Sequence, residues 1–318
     1  MMKDVIEPVN EPVRKILDQL GRAIVGKQEV IEKLLMCLLS EGHVLIEDYP
    51  GLGKTLIAKS FAKTLGLQFK RIQFTSDLLP ADITGTFVFD RNESQFIFRK
   101  GPIFGNVILA DEVNRAPPRT QSALLEAMQE RQVTVEDVTY QLPRPFMVIA
   151  TQNPIEYEGT YPLPEAQVDR FLAKISVGYP SAEDEFNIAK ERNLRKSDDV
   201  ELEVVADASA IMEMKVEVEN VHVDDALINY MVEMVRKTRV HKDVEIGASP
   251  RGTLALLKLS KASAWLYGRD YVLPDDVKQV AVDALSHRII LKPEQMLRGG
   301  KSSAVINSII SELPVPKV

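Results

Sequence analysis

The sequence is short of cysteine, of long apolar runs and of positive charge, and each shortage closes off a class of protein. A single cysteine, Cys37, excludes an internal disulfide, and its place within the apolar stretch LLMCLL marks it as a small buried hydrophobe. A chain without disulfides fits a reducing compartment, and the cytoplasm is the expected location. No apolar run approaches the roughly 18 residues that cross a bilayer, and the opening MMKDVIEPVNEP lacks the long apolar stretch of a secretory signal, so a protein that is not membrane-embedded is expected. The four histidines, His43, His222, His241 and His287, are scattered without metal-ligand spacing, and no transition-metal centre is expected. A net charge of −7 and a pI of about 5.4 disfavour the broad basic face on which non-specific nucleic-acid binding rests, so no nucleic-acid partner is expected. Low-complexity segments and internal repeats are also missing, and 45% hydrophobic with 27% charged residues is the balance of a globular chain.

What is present is a change of rhythm along the chain. At 318 residues it exceeds a usual single-domain length, so two compact units are expected. Short apolar runs at HVLIE (43–47), FKRIQF (69–74), NVILADE (106–112), PFMVIAT (145–151) and AKISVG (173–178) read as buried strands. Helix-forming stretches, LIAKSFAKTLG after the first and PRTQSALLEAMQERQ after the third, give the alternation of a parallel sheet covered by helices. Two segments interrupt it as inserted β-hairpins: residues 84–101, where Phe87, Phe89, Phe96 and Phe98 alternate about a turn at 91–94, and residues 132–142 around Glu136 and Asp137. Packing, rather than contact with a substrate, is the expected role of those phenylalanines. From Tyr179 and Pro180 onward the pattern turns mainly helical, which divides the chain into an α/β unit at 1–179 and a mostly helical one at 180–318. The stretch IMEMKVEVENVHV (211–223) alternates its apolar residues, and strand and helix both stay open there.

Directly after the first strand comes DYPGLGKT, followed by a helix-forming run. In such a loop glycines let backbone N–H groups wrap phosphates, Lys54 brings a point charge to the β and γ oxygens, and Thr55 can hold Mg²⁺ through its hydroxyl. The nucleotide-binding set is therefore Pro50, Gly51, Leu52, Gly53, Lys54, Thr55 and Leu56. The strict pattern wants glycine where this chain has Asp48, which leaves a carboxylate close to the triphosphate path. An unrelated glycine-lysine turn is the plain alternative, and the strand before and helix after argue against it. No N-K-x-D guanine signature occurs, which favours ATP over GTP.

The third strand ends in Asp111 and Glu112, at the carboxyl edge where open α/β sheets bind ligands. Asp111 reads as orienting Mg²⁺ partly through water and Glu112 as polarising the attacking water, because a loose phosphoryl transition state needs positioning and charge neutralisation. The fourth strand runs into TQNP and brings Asn153 to the same edge, to orient that water or touch the γ-phosphate; a turn asparagine before Pro154 is the bland reading. Two arginines complete the set. LPEAQVDRF carries Arg170 at the end of a short helix, and GASPRG puts Arg251 at the start of a long one, with Ser249 as N-cap and Pro250 at the first helical position. A helix dipole disfavours a cation there, so Arg251 implies an anionic partner, either a γ-phosphate or a nearby carboxylate. Arg170 by itself reads equally as solvated or paired with Asp169.

The ordered set PGLGKT, DEVNRAPP, ATQNP, LPEAQVDRF and SPRG, with DLLPADITG ahead of the first hairpin, resembles the MoxR AAA+ ATPases over nearly the whole chain. The resemblance implies an α/β fold: a P-loop αβα core with a parallel sheet and two inserted hairpins, then a smaller, mainly helical lid domain. It assigns Lys54 and Thr55 to Walker A, Asp111 and Glu112 to Walker B, Asn153 to sensor 1, Arg170 to the arginine finger and Arg251 to sensor 2, which also touches ATP. The hairpins look like the helix-2 and pre-sensor insertions, and IVGK (24–27) resembles the segment lining the adenine pocket. ATP is then expected at the junction of core and lid, with Arg170 reaching a neighbour's site in a homo-oligomeric, hexameric ring. Chaperone-like remodelling or maturation of partner proteins follows, with von Willebrand factor A domain proteins among the expected partners. The rival readings are a magnesium-chelatase-type motor subunit, a DNA-handling AAA+ protein, and a nucleotide-gated binding or scaffolding module with negligible turnover.

Overall fold

The computed structural model describes residues 10–154 and 159–316. The chain opens with α1 (Glu11–Gly21) and α2 (Gln28–Leu39), then β1 (Val44–Glu47), α3 (Lys54–Thr64), β2 (Phe69–Gln73) and the short α4 (Pro80–Thr84). A first hairpin, β3 (Gly85–Asp90) with β4 (Gln95–Lys100), precedes β5 (Val107–Asp111) and α5 (Pro118–Glu130). A second, β6 (Gln132–Val135) with β7 (Val138–Gln141), leads to β8 (Met147–Gln152), α6 (Glu165–Val168) and β9 (Ala173–Ile175). Beyond β9 the chain is mostly helical: α7 (Ala182–Arg195), α8 (Ala208–Glu219), α9 (Asp225–Val240), β10 (Val244–Ile246), α10 (Pro250–Leu266), α11 (Pro274–Leu285), β11 (Ile290–Leu291), α12 (Pro293–Leu297) and α13 (Ser302–Glu312).

Five strands form one parallel sheet in the order β2-β5-β8-β1-β9. Alternate residues of each strand face opposite sides, and the apolar runs supply both sides at once. Val44, Ile46, Val107, Leu109, Met147 and Ile149 join the core built with α1, α2 and α3. Leu45, Ile108, Ala110, Val148 and Ala150 join a second core under α4 and α5. A sheet buried on both faces needs continuous apolar strands, which is why these runs show no polar alternation. Cys37 lies fully buried in α2, and burial pushes its thiol far above the ordinary range, as suits an inert packing residue.

The first core extends without a break into the helical part, taking in Leu256, Trp265, Val277 and Ile306. Helix α10 lies along α2, where the Ser40 hydroxyl donates to the Lys258 carbonyl at 3.2 Å, and Lys33 of α2 meets Asp283 of α11 at 2.8 Å. The alternating stretch at 211–223 is mainly helical, because Ile211, Met214 and Val218 fall on one helix face and bury together. The hairpin phenylalanines divide: Phe98 stacks on Tyr140 of the second hairpin at 4.1 Å and contacts Phe87 and Phe104, while Phe89 and Phe96 pair at the tip and remain 54% and 69% exposed. Packing therefore describes the base of that hairpin and not its tip. Among the described residues no helix is long and apolar enough to cross a membrane.

Candidate active site

The phosphate loop leaves β1 at the carboxyl edge, at the point where strand order reverses because the chain departs from β1 to the far strand β2. Gly51 at φ +84° and Gly53 at φ +77° lie in the left-handed region, and nothing else crowds them. The loop delivers Lys54 and Thr55, both half-buried, to the first turn of α3; Leu52 packs partly on the core, and Pro50 and Leu56 are exposed. The Lys54 ammonium donates to the carbonyls of Asp48 at 2.8 Å and Tyr49 at 3.1 Å, so the loop is closed on itself. Burial lowers the Lys54 pKa, while the charges of Asp48, Asp111 and Glu112 oppose that shift.

Asp48 does not face the triphosphate path. Its buried carboxylate accepts from the backbone N–H groups of Val177 at 2.5 Å and Gly178 at 2.8 Å and from the Ser176 hydroxyl at 2.9 Å. The residue that breaks the glycine pattern thus ties the loop to the chain leaving β9. The same segment is held from the other side by Lys27, which donates to the carbonyls of Val177 and Tyr179, each at 2.8 Å. Beside it a cavity of about 430 Å³ is lined by Leu17, Ile24, Val25 and Gly26 and by Asn187 and Glu191 of α7. The segment IVGK therefore lines a cavity that the first helix of the helical part also lines.

The acidic pair ends β5. Asp111 is buried, one oxygen accepting from the Thr151 hydroxyl at 2.6 Å and the other from Arg71 at 2.6 Å. Glu112 follows at φ +57°, its N–H donating to the Thr151 hydroxyl at 2.8 Å. Its carboxylate is engaged by the Gln73 amide at 2.9 Å and by Arg115 at 3.1 Å. Asn153, buried, comes directly after β8 at the same edge. The loop, Asp111, Glu112 and Asn153 are thus carboxyl-edge groups of neighbouring strands. Hard oxygen donors from Thr55 and a fixed Asp111 suit Mg²⁺ shared with phosphate oxygens, and among the described residues no cluster of three or more His, Cys, Asp or Glu offers a cage for another metal.

The two arginines lie elsewhere. Arg170 and Arg251 line one cavity of about 250 Å³ together with Arg131, Lys258, Arg288 and Asp169. Ser40, Glu41, Gly42 and His43, which precede β1, line the same cavity, so it opens at the amino edge of the sheet. The four residues of β1 separate the two edges by about 13 Å at roughly 3.3 Å per residue. Arg251 therefore sits at the opposite edge of the sheet from Lys54 of the same chain, beside Arg170. Arg170 does not pair with Asp169; it donates to the Leu125 carbonyl at 3.3 Å. Asp169 instead accepts from Arg288 at 2.9 Å and from Ser249, the N-cap of α10, at 3.1 Å, with Arg251 at 4.0 Å.

Sequence reasoning missed Arg71, Gln73, Thr151 and Arg288. The first two sit at outward positions of β2, a pattern indistinguishable from a solvated strand face. Thr151 is a β-branched residue inside an apolar run, and Arg288 closes a helix-like stretch whose end gives no sign of burial.

Comparison with known proteins agrees with this geometry. Residues 43–173 match the ATPase family associated with various cellular activities (AAA), and residues 236–309 match the AAA lid domain. The chain is 48% identical to the uncharacterized protein YeaC of Bacillus subtilis over 98% of this chain and 97% of that one. It is 42% identical to Chaperone MoxR1 of Mycobacterium tuberculosis, over 96% and 83%, and 30% identical to Protein MoxR of Methylorubrum extorquens, over 94% and 93%. The crystal structure of a protein from Cytophaga hutchinsonii superposes with a TM-score of 0.91 at 42% identity, covering 96% of this chain and 95% of the other. A phosphate loop and an acidic strand end at one edge of a five-stranded parallel sheet, a helical lid behind it, and relatives of this closeness along almost the full length make the chain a member of the MoxR family of AAA+ ATPases.

Proposed function

We propose that the protein hydrolyses ATP in a head-to-tail ring, with the nucleotide on one subunit's loop completed by Arg170 and Arg251 of the next. The observation that carries this reading is the position of the two arginines: they share a cavity at the amino edge, remote from the loop of their own chain. Heterologous contacts close into rings when the rotation permits, and such a contact brings one subunit's amino-edge cavity against another's phosphate loop. Six subunits are the expectation.

Within one subunit Gly51, Gly53 and Lys54 cradle the phosphates, Thr55 and Asp111 would hold Mg²⁺, and Leu52, Pro50 and Leu56 shape the loop around them. The metal would supply charge neutralisation to the phosphates. Glu112 accepts a proton from the attacking water, and Asn153 orients that water from the adjacent strand end. Gln73 and Arg115 both engage Oε2 of Glu112 and hold the carboxylate in place, so neither contact has to break for Oε1 to take the proton. An unassembled subunit, without the neighbour's arginines, should turn over slowly. The cavity at Ile24–Gly26 and α7 is the candidate adenine site.

The work done with this energy is read as chaperone-like remodelling of partner proteins in the cytoplasm, supported by the relative named as a chaperone. The exposed Phe89 and Phe96 at the hairpin tip suit contact with an apolar segment of a client, and von Willebrand factor A domain proteins are the proposed partners. Size-resolved ATPase assays with and without ATP and Mg²⁺ test the proposal. Turnover should reside in an ATP-promoted oligomer and vanish in Arg170→Ala, which still binds ATP. Full turnover by Arg170→Ala, or by isolated monomers, would refute it.

A further inference from the structure

We infer that Arg288, a buried arginine of the helical lid, is the positioning residue that sets both Arg170 and Arg251 for the neighbouring subunit's nucleotide; the inference rests on the trans reading above. The Arg288 side chain is only 3% exposed. Its guanidinium donates to the Asp169 carboxylate at 2.9 Å and to the carbonyls of Asp169 at 3.2 Å, Phe171 at 2.7 Å, Leu172 at 3.2 Å and Ala284. The acceptors on Asp169, Phe171 and Leu172 bracket Arg170, whose own side chain, among the described residues, donates instead to the Leu125 main-chain carbonyl of α5.

Among the described residues, the main-chain N–H groups of 169–172 are held by the turn that ends α6 and by one bond from Leu172 to the His43 carbonyl, and His287 contacts the Phe171 carbonyl at 3.1 Å. A planar fork of five N–H donors is the one side chain that can satisfy several convergent carbonyls and a carboxylate together. Lysine offers its donors from a single point and cannot reproduce that arrangement. Arg251 is linked to the same group more loosely. The second Asp169 oxygen accepts the hydroxyl of Ser249, which caps α10, and faces the Arg251 guanidinium across 4.0 Å. A cation in the first turn of a helix is disfavoured by the dipole, and the Asp169 charge, itself oriented by Arg288, offsets that. Burying an ion pair is weak evidence for stability, since apolar residues of like volume serve as well. The arrangement is instead what a geometric constraint requires: one lid residue fixes the backbone of one arginine and the counter-ion of the other.

Arg288→Gln separates positioning from folding when mixed with Glu112→Gln. The Glu112→Gln subunit cannot activate its own water but presents intact arginines, whereas Arg288→Gln keeps its own loop and acids. Arg288→Gln alone should lose about 100-fold in kcat, the scale of a misplacement near 1 Å, with the KM for ATP and the ring size close to wild type and a lowered thermal midpoint, because buried acceptors lose their donor. Arg288→Lys should behave like it. Adding Glu112→Gln subunits should restore turnover, as it should for Arg170→Ala. If Arg170→Ala is restored and Arg288→Gln is not, or if Arg288→Gln keeps wild-type kcat, the inference is wrong. If neither is restored, the trans reading itself falls, and the inference with it. Should Arg288→Gln fail to fold or assemble, Asp169→Asn, which keeps the side-chain shape and spares the carbonyl bonds, replaces it in the same mixture under the same criteria.

Discussion

Replacing Asp48 by alanine discriminates between two pictures of the phosphate loop. If its carboxylate faced the triphosphate, removal would relieve a repulsion of about 3–4 kcal/mol for unit charges 4–6 Å apart at an effective dielectric near 20, and ATP binding would tighten by roughly two decades. In the structure that carboxylate accepts from Val177 N–H, Gly178 N–H and the Ser176 hydroxyl, all on the segment leaving β9. Asp48→Ala then strands three donors, each buried polar group costing about 1–3 kcal/mol without its partner, with some relief from water. A net loss of about 3–5 kcal/mol is expected, and with it a fall of the thermal midpoint by roughly 4–8 °C. ATP affinity should fall rather than rise, because the loop loses its anchor to β9. Asp48→Asn keeps one acceptor oxygen and should lie between. Thermal melts and titration with a fluorescent ATP analogue read both quantities; an unchanged midpoint with tighter ATP binding would refute the reasoning.

Other outcomes follow from the same contacts. Glu112→Gln should bind ATP normally and lose about 10²- to 10⁴-fold in turnover, the usual contribution of a positioned base; rapid multiple turnover by the purified variant contradicts the role given to Glu112. Tyr140→Ala removes the ring stacked on Phe98 at 4.1 Å and should speed amide exchange in both hairpins while leaving ATP binding by isolated subunits intact, so unaltered exchange in β3 and β4 would argue against a shared aromatic base. Burial alone would raise the Glu41 carboxyl, but hydrogen bonds and charge from Arg131 and Lys215 outweigh it and hold the group at about 2. Since the folded value is the lower one, this stabilisation is present above about pH 4.3 and disappears as pH falls towards 2; Glu41→Gln should flatten the urea midpoint over that window, and an unchanged slope counts against the bridge. Burial lowers His43 from 6.5 to about 4, so it stays neutral when folded, and stability should decline as pH drops through that interval by about 3 kcal/mol. Equal urea midpoints at pH 7 and 4.5 would contradict it.

Much of the core was legible because its signals are local. A glycine loop between an apolar strand and a helix, and acids at the next strand end, need no tertiary knowledge. Ser249, Pro250 and Arg251 were likewise readable as a helix start, since N-cap chemistry acts within one turn. Where that helix start points is a property of packing: α10 lies along α2 at the amino edge, a consequence of Leu256, Leu259 and Ala262 burying with the α2 leucines. Asp48 could not be read because, apart from the adjacent Tyr49 N–H, its partners are more than 120 residues away and two of those are backbone groups that carry no sequence signature. Arg71 and Gln73 are hidden for a related reason. Polar residues on alternate strand positions look the same whether they meet solvent or the carboxylates of the next strand end, and only the β2–β5 register, Gln73 beside Asp111, tells the two apart.

The central claim, that the arginines serve a neighbour's nucleotide, is tested most directly by mixing Arg251→Ala with Glu112→Gln, each inactive alone. Head-to-tail assembly at equal amounts predicts recovery to about a quarter of wild-type turnover, the share of interfaces that pair an intact loop with intact arginines. A mixture that stays at the background of its two parents, while forming mixed rings, would mean that Arg251 acts on its own subunit's ATP, and the account would be wrong.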